Sequence, residues 1–264
     1  MDPDTALPTF MIIGAAKAGS TSLHHYLDQH PDIAMSAPKE TNFFERPDAL
    51  ESLHDYQQYF QPGTRLRGEA SVHYTCWPTI CGVPERISAA LPDLKLLYVV
   101  RDPVQRSIAH YYERYQSNAA PHSITEAFTE PDDPTKVWIW ASRYATQVER
   151  YLQFYSRSSL LILDDQDLRF RRRETLNTVF RFLDVDPNFD SPLFDDELNV
   201  KHGDRKRLAR GGQLLKRSRV SNVARKRLPP RIRNPLFALT RRVTSLEVRR
   251  RQLPPGLQAA PRIP

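Results

Sequence analysis

Of everything in this sequence, the stretch FMIIGAAKAGSTSLHHYL, residues 10–27, most restricts what the chain can fold into. Phe10–Ile13 is a short apolar run closed by a glycine, the pattern of a strand buried on both faces of a parallel sheet. From Ser20 the spacing turns helical, with Leu23, Tyr26 and Leu27 on one side, and Pro31 stops the helix. The loop between them offers backbone N–H groups and a helix N-terminus to an anion. The hydroxyls of Ser20, Thr21 and Ser22 add three donors. Lys17–Ser22 therefore reads as a strand–loop–helix that cradles a phosphate or sulfate group.

Gly14, Gly19 and Thr21 fit the glycine spacing and hydroxyl position of the nucleoside-triphosphatase pattern G-x4-G-K-[ST], but Ser20 stands where that pattern has its lysine. The lysine lies inside the loop, at Lys17. Asp164 and Asp165, the nearest candidates for holding magnesium, read as solvent-facing turn residues, and no metal is expected. A loop lysine suits sulfonate transfer instead. That reaction has a loose transition state, by analogy with phosphoryl transfer. Negative charge grows on the bridging oxygen of the leaving group, and a fixed cation beside it stabilises that charge without a metal.

The rest of the chain alternates strands with helices. A helix is expected near 51–60, a short strand over Gly68–Tyr74 and a helix over Val83–Leu91. Lys95–Val100 (KLLYVV) is the clearest second strand. A helix over 104–116, a polar loop over 117–136 that serves as a lid or substrate wall, and a helix over 138–155 follow. Ser159–Leu163 reads as a third strand and Glu174–Leu183 as an amphipathic helix. The pattern argues for an α/β, P-loop-containing three-layer fold: a central, mostly parallel sheet flanked by helices. Such sheets bind ligands at the carboxyl ends of their strands, where Gly14–Ser22 and Arg101–Arg106 both lie.

These residues resemble the PAPS-dependent sulfotransferase family, most of all its heparan-sulfate-type and bacterial members, over roughly residues 9–207. KAGSTSL is similar to that family's 5′-phosphosulfate loop, so the resemblance gives Lys17, Ala18, Gly19, Ser20, Thr21 and Ser22 to the donor and Lys17 to catalysis. LLYVVRDPVQRSIAHYY resembles the strand followed by R-[DN]-P-x-x-R. Carried over, Arg101 binds the 3′-phosphate of PAPS. Ala109 stands where the family has a serine, and Ser107, taken as a further nucleotide-binding candidate, lies about 200° round a helix from it. PKETNFF resembles a segment whose glutamate acts as base toward the acceptor, which is Glu40 here. GEASVHY resembles a segment with a lysine where this chain has Ala70. NVKHGDRKR lies where the family places a basic loop over the 3′-phosphate and adenine, making Lys201, Gly203 and Arg205 nucleotide-binding candidates. The histidines His24, His25, His73 and His110 stay open as alternatives to Glu40. The implied enzyme moves a sulfonate from PAPS to a hydroxyl or amine of a glycan, lipid or small molecule and releases PAP.

Charge divides the chain. Residues 1–200 carry 19 Lys/Arg against 29 Asp/Glu, whereas residues 201–251 carry 18 against two. We expect a sulfotransferase-like domain over 1–207 and a basic, Pro-rich extension over 208–264. The extension reads as a solvated tail or as a contact for an anionic surface or acidic substrate. Cys76 and Cys81 are expected as reduced thiols. No stretch approaches the roughly 20 apolar residues of a membrane span, the first residues lack a signal-sequence pattern, and a cytoplasmic protein is expected. Two other functions fit less well: a P-loop kinase or ATPase, and a non-catalytic protein of the same fold that binds nucleotide or polyanion. Neither the acceptor nor the oligomeric state is readable from the residues.

Overall fold

The computed structural model describes residues 7–196, with the backbone of 206–208 and 245–247. In chain order the elements are β1 (Phe10–Gly14), α1 (Ser20–Leu27), β2 (Ile33–Met35), α2 (Leu53–Tyr56), β3 (Leu66–Ala70), α3 (Val83–Ala90), β4 (Lys95–Val100), α4 (Pro103–Gln116), α5 (Ile124–Phe128), α6 (Val137–Trp140), α7 (Tyr144–Tyr151), β5 (Leu160–Asp164), α8 (Asp165–Phe170) and α9 (Arg172–Leu183). Single 3₁₀ turns, among them Phe43–Glu45 and Val72–Thr75, fill connections.

The five strands form one sheet in the order β2-β3-β1-β4-β5. Every pairing is parallel: Phe10 lies opposite Gly68 and Lys95, Ile33 opposite Leu66, and Leu96 opposite Leu160. The order requires crossovers that helices supply, as parallel pairing demands. β1 is buried at all five positions and the four central residues of β4 are buried too, because helices cover both faces. The core joins these strands to Leu23, Tyr26 and Leu27 of α1, Ile87 of α3, and Leu176, Val179, Phe180 and Leu183 of α9. The three-layer α/β fold read from the sequence is the one observed.

Several boundaries differ from expectation. The strand expected at Gly68–Tyr74 is β3, which starts at Leu66 and gives way after Ala70 to the 3₁₀ turn Val72–Thr75. The helix expected over 138–155 is two helices, α6 and α7, separated at 141–143. The loop 117–136 contains α5, and 51–60 holds only one helical turn, α2, before a 3₁₀ turn. β2 and α8 were not anticipated: β2 has only three residues, too few for a period to register.

The chain divides into two compact units, one of residues up to His110 with 128–200, the other of 111–127 with 201–264. In the second, the Tyr111 hydroxyl donates to the carbonyl of Pro121 at 3.0 Å, and β6 (Lys206–Leu208) pairs antiparallel with β7 (Ser245–Glu247). No helix among the described residues is long and apolar enough to cross a membrane.

Gly14 closes β1 where the backbone passes hard against its neighbours. A methyl group there would run into the Thr75 hydroxyl and come within 2.9 Å of the Tyr98 ring. Gly14→Ala should therefore lower the unfolding free energy by about 1–3 kcal/mol, as overpacking does, read as a lower urea midpoint at unchanged slope.

Candidate active site

The site grows out of the carboxyl ends of the strands. After Gly14, the Ala15 N–H still donates to the Val99 carbonyl of β4 at 2.8 Å, so the loop leaves the sheet already attached to it. The chain turns through Lys17 in the left-handed region (φ 69°), and Ala18 N–H closes the turn on the Ala15 carbonyl at 3.1 Å. Gly19 (φ 103°) caps α1, accepting from Ser22 and Leu23 N–H. That φ is open to glycine and strained for other residues. Ser20 and Thr21 begin the helix, and their N–H groups have no intrahelical acceptor. Ser20 is buried, Ser22 is half-buried and Thr21 is exposed.

Arg101 follows β4 and reaches back across the sheet edge. Its Nη1 donates to the Lys17 carbonyl at 3.4 Å, which brings together the two motifs separated by 84 residues. Its carbonyl accepts from the Tyr144 hydroxyl at 2.8 Å, fixing the strand end on α7. Its Nε lies 3.6 Å from Asp165 Oδ2. The expectation that Asp164 and Asp165 are solvent-facing turn residues holds for the exposed Asp164 and is corrected for Asp165. Asp164 caps α8 by accepting from Gln166 N–H at 2.8 Å, and the Asp165 side chain is only 17% exposed beside Arg101.

Arg106, five residues on in α4, has no solvent exposure. Its Nη1 donates to the Ala16 carbonyl at 3.3 Å, its Nε to Ser142 Oγ at 2.7 Å, and its Nη2 to the Trp138 carbonyl. Burial works against its charge, but a guanidinium stays protonated in proteins. It braces the phosphate loop from behind. Ser107 is not brought to Lys17 and Arg101: its buried hydroxyl donates to the Trp138 carbonyl at 2.6 Å. Lys201, Gly203 and Arg205 lie outside the described residues, as does most of the basic extension.

Glu40 stands at the end of β3, next to β1. Its N–H donates to the Ala70 carbonyl at 2.9 Å, its Oε2 accepts from Val72 N–H at 3.0 Å, and its Oε1 pairs with Lys39. Its backbone is left-handed (φ 63°), as is that of Asn42 (φ 52°). What holds this segment is Glu69, a fully buried carboxylate. Glu69 accepts from Thr41 Oγ1 at 2.6 Å and from the hydroxyls of Tyr56, Ser71 and Tyr74. The Ser71 oxygen in turn accepts from Asn42 N–H at 3.0 Å, and Tyr74 from Phe44 N–H at 3.2 Å. Burial raises the Glu69 carboxyl above its ordinary range, and the four hydroxyl donors pull it back.

The histidines separate by place. His24, one turn into α1, feels the charges of Lys39 and Glu40. Burial first, then Lys39, lowers its pKa below 6.5, so it is neutral at pH 7. Its buried Nε2 has no partner among the described residues. His25 faces Asp196 at 4.0 Å, His73 pairs with Glu45 at 3.1 Å, and His110 accepts from Arg106 at 3.3 Å.

Residues 7–199 match the sulfotransferase domain family. The chain belongs to this family. A crystal structure of a sulfotransferase from Alicyclobacillus acidocaldarius is similar to it at 29% identity and a TM-score of 0.62, over 74% of this chain and 87% of that one. The human bifunctional heparan sulfate N-deacetylase/N-sulfotransferase 2 is 28% identical over 214 residues, 72% of this chain and 24% of the relative. The Caenorhabditis elegans bifunctional heparan sulfate N-deacetylase/N-sulfotransferase 1 is 25% identical over 198 residues. The chain thus spans about a quarter of the length of these curated relatives.

Arg106 and Glu69 are given no role by the sequence reading, and Asp165 is weighed there only as a magnesium candidate and read as a turn residue. Each had a signal: an acid directly after the third strand, a second arginine in R-D-P-x-x-R, and a carboxylate between glycine and alanine on a strand flanked by hydroxyl residues.

Removing Glu69 leaves four hydroxyls without an acceptor. Glu69→Ala should cost about 3 kcal/mol or more, with Glu69→Gln milder because an acceptor oxygen survives, measured by urea denaturation. A histidine with a lowered folded pKa contributes stability above its unfolded value and loses it as protons force it to charge. The protein should therefore lose stability as pH falls below about 6.5. His24→Asn should flatten that part of the melting-temperature profile.

Proposed function

We propose that this sulfotransferase moves a sulfonate group from PAPS to an amine or hydroxyl of a glycan and releases PAP. The observation that carries the reading is Arg101 Nη1 against the Lys17 carbonyl. It supports reading Arg101 as the cation for a nucleotide's 3′-phosphate, next to a loop suited to its 5′ end. The glycan follows from the heparan sulfate enzymes to which the chain is similar.

In this reading the first-turn N–H groups of α1 and the Ser20–Ser22 hydroxyls hold the 5′-phosphosulfate. Lys17 meets the negative charge that gathers on the bridging oxygen as the S–O bond to the phosphate breaks. Glu40 accepts the proton of the acceptor N–H or O–H as the new bond to sulfur forms. Glu40 is suited to this because its backbone N–H is anchored on the Ala70 carbonyl and its carboxylate is held by the Val72 N–H on one oxygen and by Lys39 on the other. Much of the rate comes from holding donor and acceptor in line.

PAP should raise the melting temperature far more than ADP or ATP, with about 2.7 kcal/mol of stabilisation at a hundredfold excess over its Kd. Lys17→Ala should keep the fold and lower transfer of labelled sulfonate to N-desulfated heparan by about 10²–10³-fold or more. Glu40→Gln should lower kcat with little change in PAP binding. Full turnover in Lys17→Ala would sink the mechanism.

A further inference from the structure

Asp165 is a carboxylate beside the cation to which the nucleotide reading gives an incoming anion. It begins α8 at the carboxyl end of β5, and β5 pairs with β4, so its side chain comes level with Arg101. The two lie 3.6 Å apart, and the carboxylate is 17% exposed. Its other oxygen, Oδ1, accepts from Gln166 Nε2 at 3.3 Å. Arg101 Nη1 is engaged by the Lys17 carbonyl. The guanidinium that the nucleotide reading gives to the 3′-phosphate is thus already shared with an acid of the chain.

We propose that Asp165 competes with the 3′-phosphate for Arg101, so that nucleotide binding at Arg101 is coupled to uptake of a proton by Asp165. The inference rests on the reading that Arg101 binds the 3′-phosphate. A dianionic phosphate beside an ionised carboxylate is a like-charge pair, relieved when the carboxyl takes a proton from water. The groups around Asp165 favour this. From the residue after β4 comes Arg101. From α7 comes the Tyr144 hydroxyl, which also feels Asp102, just before α4, and Arg106 of α4. From its own segment come Asp164 and Gln166. Burial, with Asp164 adding to it, raises the Asp165 carboxyl above 3.8, while Gln166 and Arg101 draw it down. The complex then binds more protons than the free protein, and PAP affinity rises as pH falls. At neutral pH the acid loosens the hold on the product.

Calorimetric titration of PAP and ADP into wild type and Asp165→Asn, at pH 5.5 and 7.5 and in two buffers of different ionisation heat, tests this. Asp165→Asn should bind PAP about tenfold more tightly at pH 7.5, with the advantage shrinking toward pH 5.5 and proton uptake falling. ADP affinity should not change. The phosphate itself titrates near pH 6, so the diagnostic quantity is the difference between wild type and variant. If wild type prefers PAP to ADP and Asp165→Asn binds PAP no better at pH 7.5, the coupling is refuted and the nucleotide reading stands. If wild type shows no preference for PAP, the assignment of Arg101 fails and takes the coupling with it. Asp165→Ala, which also removes the charge, must move in the same direction.

Discussion

With Phe10 opposite Gly68 on one side and Lys95 on the other, β1 is hydrogen-bonded along both edges to parallel neighbours. A strand held this way can end only where its neighbours end. Five parallel strands therefore deliver Glu40, Ser71, Lys17, Arg101 and Asp165 to one edge of the sheet, although 148 residues separate the first lysine from the last acid. The side-chain chemistry sits on loops, and the sheet supplies their common origin.

The loop's shape needs a second support. Arg106 spans from α4 to the Ala16 carbonyl on one side and the Trp138 carbonyl on the other. Among the described residues its partners are carbonyls, a hydroxyl and a ring nitrogen, with no carboxylate to offset its charge. Burying such a cation costs several kcal/mol before its hydrogen bonds are counted. The phosphate loop is consequently backed by permanent positive charge in a low-dielectric setting, where fields act with little screening. Glu69 is the counterpart beside Glu40, a buried carboxyl group surrounded by hydroxyls that shapes the segment after Glu40.

The strand–loop–helix was legible because it is local: an apolar run, two glycines and three hydroxyls lie within 13 residues, Phe10–Ser22. Arg101 was legible because it directly follows a strand of unmixed apolar character. What escaped was non-local or too short. β2 has three residues and exists only because β3 offers it an edge. α6 and α7 share one apolar periodicity, and the break between them is set by tertiary contacts of Ser142 with Arg106 and Pro103 that no spacing encodes. Asp165 looked like a turn acid until β5 was seen to run beside β4 and bring it to Arg101. Ser107 carries a suitable hydroxyl, yet α6 claims it.

Lys17 and Glu40 share a property that bears on how such a site persists. Both hold left-handed backbone conformations without being glycine, at a steric cost of about 1 kcal/mol each. Glycine would relieve that cost and incur an entropic penalty of about the same size. Backbone conformation alone therefore gives stability no reason to prefer a side chain over glycine at these two turns. A lysine and a glutamate at these turns are kept for what their side chains do, and for Glu40 that includes holding the Val72 N–H at the end of the neighbouring strand.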